Sequence, residues 1–178
     1  IQDSGIGDET TNKDVLELAK DYDAEYVVPC DELHNQDATT DAVMGFLELY
    51  DDADVDADVL IPLQPPYDEH YRELPDFDAY CLGGIAFDYT AREQVEALHK
   101  FRNVAGNHPY AHALGVGGSM TVVRAVANNP DMIQSVDCST PEQAAMNGKV
   151  LDAELGQRQI EILTGEGSST GRYSLAET

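Results

Sequence analysis

The stretch Met132-Ile133-Gln134-Ser135-Val136-Asp137-Cys138-Ser139-Thr140-Pro141 decides the fold. A short apolar run ends in a carboxylate. A helix start follows at once, with Thr140 as cap and Pro141 at the first helical position. The same grammar recurs upstream. Tyr26–Cys30 runs into Asp31, Val59–Leu63 into Gln64, Tyr80–Leu82 into Gly83-Gly84, and Ala111–Leu114 into Gly115-Val116-Gly117. Ile1-Gln2 before Asp3-Ser4-Gly5 reads as the end of a sixth run. These runs are apolar throughout, as expected of strands buried on both faces.

Helical patterns lie between them. Val15, Leu18, Ala19 and Tyr22 follow a cap at Thr11-Asn12; Val43, Phe46, Leu47 and Tyr50 follow a cap at Thr39-Thr40. Thr90-x-x-Glu93 is a capping box before Val95, Leu98 and Phe101, with Gly106 past the end. Ser119 caps a helix carrying Val122, Val123 and Val126, and Thr140-Pro141-x-Gln143 opens a last helical region over about 141–163. Alternating strands and helices make an α/β chain with a parallel sheet. Polar groups at nearly every strand exit favour a TIM-type (β/α) barrel over an open doubly wound sheet, which gathers its ligand at one switch point. About six of eight β/α units are present, so the barrel is expected to be incomplete at its N-terminus, with residues missing upstream of Ile1. The expected organisation is a partial catalytic barrel over 1–163 and a loose Gly/Ser/Thr-rich tail over 164–178.

The 178 residues carry 34 acids and 10 bases, a net charge of −24, yet 42% are apolar. That apolar share and the clear periodicity exclude a disordered acidic chain. A halophilic source, archaeal or viral, explains the balance, because concentrated salt screens such a surface. Residues 1–91 hold 24 acids and 3 bases, whereas 92–178 hold 10 and 7, so a polyanion would meet mainly the second half. Three cysteines without framework spacing read as free thiols in a reducing compartment. No apolar stretch approaches a membrane span and no signal peptide is read in the given residues, so a cytoplasmic location, the host's if the gene is viral, and no membrane partner are expected.

Asp137 at a strand exit can attack an electrophilic carbon such as an anomeric C1′, or simply serve the next helix N-terminus. Asp3 and Asp31 share its strand-end context, and carboxylates around one mouth suit sugar–carbon chemistry. Gln64, fixed by Pro65-Pro66, can both donate and accept, which suits a nucleobase edge or a turn. Gly83-Gly84 and Gly115-x-Gly117-Gly118 let a flat ligand or a phosphate approach the backbone. Asp52, Asp54, Asp56 and Asp58 start with calcium-loop spacing, but Ala57 and Leu63 replace the required glycine and glutamate, so the loop is read as a solvated acidic turn. Ser119 lacks the second glycine of a nucleophile elbow. His108 and His112 are too close to Pro109 and to a strand for helical metal pairing, and His34 and His99 read as surface or helix residues. No metal and no cofactor are expected.

Taken in order, Asp3-Ser4-Gly5, Asp31-Glu32, Gln64, Gly83-Gly84-Ile85-Ala86, Leu114-Gly115-Val116-Gly117 and Asp137-Cys138-x-x-Pro141 resemble the tRNA-guanine transglycosylases, over residues 1 to about 141. The resemblance implies a β/α barrel that swaps guanine in a nucleic acid for a 7-deazaguanine base, such as 7-cyano-7-deazaguanine. It implies Asp137 as the nucleophile holding a covalent glycosyl intermediate and Asp3 as the proton-transfer carboxylate. Asp31 would accept from the base's N1-H and amine, Gln64 and the backbone N–H of Gly84, next to Gly83, would bind the O6 side, and Leu114 would form an apolar wall. Glu142-Gln143 stand where the family has Thr-Arg, and the family's basic segment, zinc site and early aromatic are missing. These departures resemble the divergent branch acting on DNA, so DNA is the expected partner ahead of tRNA, with a homodimer as one working form. The alternatives are exchange on tRNA, a non-catalytic nucleic-acid-binding barrel, and a glycosidase; the last is disfavoured because the chain has no tryptophan to platform a sugar.

Overall fold

The computed structural model describes residues 10–86, 88–107 and 109–137, together with the backbone of 149–152 and 156–159. Asp3, the strand end at Ile1-Gln2, Cys138, the cap at Thr140-Pro141 and the tail 164–178 lie outside the described residues.

The chain alternates as expected. α1 (Asn12–Asp21) starts at a capping box in which Thr11 and Asp14 satisfy each other's backbone N–H groups, and it buries Val15, Leu16 and Ala19. β1 is Tyr26–Val27 and α2 is Gln36–Tyr50. The helix α2 begins earlier than the Thr39-Thr40 cap predicts. Asn35 is the cap, accepting from the Ala38 N–H at 3.1 Å. The two threonines serve tertiary bonds instead: the Thr39 hydroxyl accepts from the Glu32 N–H (3.0 Å) and donates to its carbonyl (3.2 Å), and Thr40 Oγ1 meets His70 Nε2 at 3.0 Å.

The run 58–63 forms β2 (Asp58–Val59) and β3 (Ile61–Leu63), joined at Leu60, whose N–H still bonds the Val27 carbonyl at 2.9 Å. The seven-residue α3 (Tyr67–Glu73) was not legible in the sequence, because its polar run hides the burial of Tyr67 and His70. β4 (Ala79–Leu82), α4 (Ala91–Ala105), β5 (Tyr110–Ala113), α5 (Met120–Asn128) and β6 (Ser135–Val136) follow. The Thr90–Glu93 capping box is present, and Gly106 closes α4 at φ +68°. Ser119 occupies the cap position of α5 without making a side-chain cap bond. The helix expected over 141–163 is corrected: β7 (Lys149–Asp152) and β8 (Gly156–Gln159) pair antiparallel there. A short apolar run beside glycine fits either state, and cross-strand pairing of Val150 with Arg158 and Leu151 with Gln157 decides for strand.

β1 pairs with β2, and β3 through β6 pair in sequence; every one of these pairings is parallel. Strand order follows chain order without reversal, so all the strand exits face one end. Residues alternate between faces. Ile61, Leu63, Tyr80, Leu82, Ala111 and Ala113 point into the main core with Leu98, Phe101 and Val122 of the helices. Tyr26, Val28, Leu60, Ala79, Cys81, Tyr110 and Leu114 share the other face. Each fully buried Leu, Ile or Phe contributes about 1.5–3 kcal/mol, so the helix-covered face carries most of the cohesion. Arg102 ties the end of α4 to the approach of β6. Its guanidinium donates to the carbonyls of Met132 (2.9 Å), Gly106 (2.7 Å) and Pro109 (3.1 Å). None of the described helices is long and apolar enough to cross a membrane.

Candidate functional site

Parallel pairing brings the loops after β1, β3, β4, β5 and β6 to one end of the sheet, and each carries a residue singled out in the sequence. Gln64 is the centre of the first group. Its side chain is fully buried and its backbone is held on both sides: the N–H donates to His70 Nδ1 at 2.9 Å, and the carbonyl accepts from Gln36 Nε2 at 3.1 Å. Burial lowers the His70 pKa first of all, and acceptance of a backbone N–H at Nδ1 also requires the uncharged ring. The Gln64 amide is fixed as well. Oε1 accepts from the His34 N–H at 3.0 Å, and Nε2 donates to Asp31 Oδ2. The orientation is therefore set, with Nε2 keeping a second N–H beyond the one given to Asp31.

Gly83 sits where this group converges. A Cβ placed there would lie 3.5 Å from Gln64 Nε2, 3.7 Å from Asp31 Oδ2 and 3.8 Å from Leu114 Cδ1. One small volume is thus walled by a carboxylate, an amide and an apolar side chain from three different loops. Tyr67 donates its hydroxyl to the Gly83 carbonyl at 2.6 Å, and burial raises its pKa well above the ordinary value, which keeps it a donor. Gly84 has φ +80°, and a Cβ on it would approach Gln64 Oε1 to 2.7 Å and Pro65 Cδ to 2.9 Å. Only glycine fits there. The Pro65-Pro66 peptide is cis.

Asp137 forms the second group. Its N–H donates to the Ala113 carbonyl at 3.3 Å, and its Oδ1 accepts from the Gly115 N–H at 2.5 Å. Gly115 is left-handed, at φ +70°. The Asp137 side chain is 53% exposed, so the carboxylate is accessible. His112 Nε2 lies 3.8 Å from the same Oδ1. Leu114 and Gly115 join the two groups, since one walls the Gly83 volume and the next holds Asp137.

The structure therefore brings Asp31, Gln64, Gly83, Gly84 and Leu114 together and places Asp137 on the adjoining loop. His34, read as a surface or helix residue, is exposed as expected, but its left-handed backbone (φ +61°) also aims its N–H at Gln64, and its ring meets Asp88 Oδ2 at 3.0 Å. Sequence reasoning considered His112 only as a metal ligand and passed over Tyr110 and Ser135. The available signal was the period of two: Tyr110, His112 and Leu114 must share a face, as must Ser135 and Asp137. A groove of about 300 Å³ lies elsewhere, bounded by Pro65, Pro66, Tyr67, Tyr89 and Lys100. It borders α3, α4 and the Pro65-Pro66 loop after β3, and its lining does not include Asp31, Gln64 or Asp137. The chemistry is assigned to the strand exits, where the polar groups converge. No family model matches the chain, and no curated protein matches its sequence.

Proposed function

We propose that the chain is a base-exchanging transglycosylase that replaces guanine in a nucleic acid, DNA ahead of tRNA, with a 7-deazaguanine base. The observation that carries this reading is the convergence of Asp31, Gln64 and Leu114 over Gly83, with Asp137 held on the next loop. A carboxylate acceptor beside an amide N–H complements a guanine-like edge, which presents two donors next to a carbonyl. Adenine would leave the carboxylate unpaired. The barrel is part of the proposal. It draws support from sequential parallel order and from Tyr26 and Tyr110, whose rings stack at 5.8 Å although β2/β3 and β4 lie between their strands. Three strand steps span about 14 Å on a flat sheet, so this contact fits a sheet concave on that face.

In the proposed reaction Asp137 Oδ2 bonds to C1′ while the C1′–N9 bond breaks, and the departing guanine takes a proton at N9 from Asp3. The incoming base then returns its N9 proton to Asp3 and bonds to C1′, and the C1′–Oδ2 bond breaks. The exchange is neutral in protons and needs no ATP.

The test incubates the protein, in concentrated potassium chloride, with DNA or tRNA and labelled 7-cyano-7-deazaguanine. The expected result is label in DNA and a covalent protein–DNA adduct on a denaturing gel. Asp137→Asn should abolish both, a loss of at least about 10³-fold, while free-base binding persists. Turnover retained in Asp137→Asn rules out the nucleophile, and label in tRNA alone overturns the substrate choice. A second reading, a non-catalytic nucleic-acid-binding module, draws on the mutual engagement of Asp31 and Gln64, which are already satisfied by each other. Absence of any trapped adduct would favour it.

A further inference from the structure

We infer that His112, steered by Ser135 and Tyr110, is a positioning residue for release of Asp137 from the covalent intermediate. The inference rests on the transglycosylase reading and extends it to three residues on the sheet face that carries Asp137. Ser135 pairs directly with His112 across β5 and β6. Tyr110 lies two residues before His112, and Asp137 two after Ser135, so all four side chains stand on one face. The contacts form a line: Tyr110 Oη to Ser135 Oγ at 2.6 Å, Ser135 Oγ to His112 Nδ1 at 2.7 Å, and His112 Nε2 to Asp137 Oδ1 at 3.8 Å. Tyr26 stacks on Tyr110 with ring planes 7° apart and braces the start of the line.

In the proposed neutral arrangement Tyr110 donates to Ser135, Ser135 donates to His112 Nδ1, and the ring proton sits on Nε2, facing Asp137. His112 is 3% exposed, so its ring is held in a dry setting where an oriented N–H acts strongly. Its 3.8 Å separation is longer than a hydrogen bond, and contacts of this kind tighten when the reacting complex forms.

The chemistry follows from which oxygen is held. Gly115 N–H and His112 Nε2–H both address Oδ1, leaving Oδ2 as the atom that bonds to C1′. In the second half-reaction N9 of the incoming base bonds to C1′ and gives its proton to the carboxylate carrier proposed above. The C1′–Oδ2 bond breaks and its electron pair returns to Asp137. Charge then develops over both oxygens, and donors fixed at Oδ1 stabilise it. The same donors withdraw charge from the carboxylate before attack, so they do not assist formation of the adduct. The line therefore favours breakdown of the intermediate over its formation.

The test follows both half-reactions on a DNA duplex with labelled 7-cyano-7-deazaguanine, by adduct trapping and by product. His112→Phe keeps a buried ring without the N–H. It should lower kcat about 10- to 100-fold, leave KM for the free base unchanged, and raise the ratio of trapped adduct to product at least about tenfold. Ser135→Ala should shift that ratio the same way by a smaller factor, and it carries the test if His112→Phe does not fold. His112→Gln, which can again place an N–H near Oδ1, should restore part of the rate. Equal slowing of both half-reactions, or an unchanged adduct ratio in folded variants, overturns the inference while leaving the transglycosylase reading intact. Absence of any adduct with the wild-type protein overturns that reading and this inference with it.

Discussion

Gly84 and Asp31 separate folding from recognition at the level of single residues. Alanine at 84 would have to hold φ +80° and fit its Cβ 2.7 Å from Gln64 Oε1 and 2.9 Å from the Pro65 ring. Gly84→Ala should therefore cost about 2–4 kcal/mol of stability, read as a lowered urea midpoint with an unchanged m-value. A midpoint matching the wild type would mean that the loop carries no such constraint. Asp31→Asn is the opposite case. Its amide oxygen still accepts from Gln64 Nε2, so the melting temperature should move little, but an N–H now faces a ligand edge that itself donates. Affinity for free 7-cyano-7-deazaguanine should fall at least about a hundredfold, measured by calorimetry. Undiminished binding would remove Asp31 from the recognition edge. At this scale the sequence was informative where a strand ended in an unusual residue, as at Asp31, Gln64 and Asp137. It did not reveal what His34 and His112 touch, because one contributes through its backbone and the other is set beside Asp137 by register with Ser135.

Among the elements, α1 and α4 were legible because a capping box states its own start. The start of α2 was misread because Thr39 and Thr40 look like caps, whereas their hydroxyls serve Glu32 and His70. The hairpin β7–β8 was misread because pairing, not periodicity, chose its state. α3 left no apolar pattern, yet it anchors the site, since His70 accepts the Gln64 N–H and buries completely. That burial depresses the His70 pKa below its model-peptide value of 6.5, against the pull of Asp37. A group with a lowered folded pKa contributes stability that is complete above the unfolded value and is lost as pH falls through the folded one. The wild type should therefore lose stability as pH drops from about 7.5 to 5, in part through release of α3. His70→Gln should be less stable at pH 7.5 but should show a shallower decline on acidification, read from urea midpoints across that range. Parallel curves for the two proteins would exclude His70 as the group responsible.

For the whole molecule, α/β alternation was legible from the runs alone, whereas strand order and the stacking of Tyr26 on Tyr110 are long-range facts that no local pattern encodes. Composition is different, because charge acts over the entire surface. A net charge of −24 on 178 residues puts like charges near one another almost everywhere on the first half, as at Asp51, Asp52, Asp54 and Asp56, all exposed. Lys20 meets Asp54 at 3.3 Å, but an exposed pair of this kind offsets little of the repulsion. Raising potassium chloride from 0.1 M to 1 M shortens the Debye length from about 10 Å to about 3 Å, which removes most of that self-repulsion. The folded state should gain on the order of 2 kcal/mol, or roughly 4–8 °C in Tm for a chain of this size. Salt also strengthens apolar burial, so the decisive comparison is a variant with Asp52, Asp54 and Asp56 changed to Asn. If screening is the cause, that variant should be more stable than the wild type at 0.1 M and respond less steeply to added salt. Equal slopes would assign the effect to burial, and with it would go the electrostatic argument for a protein suited to concentrated salt.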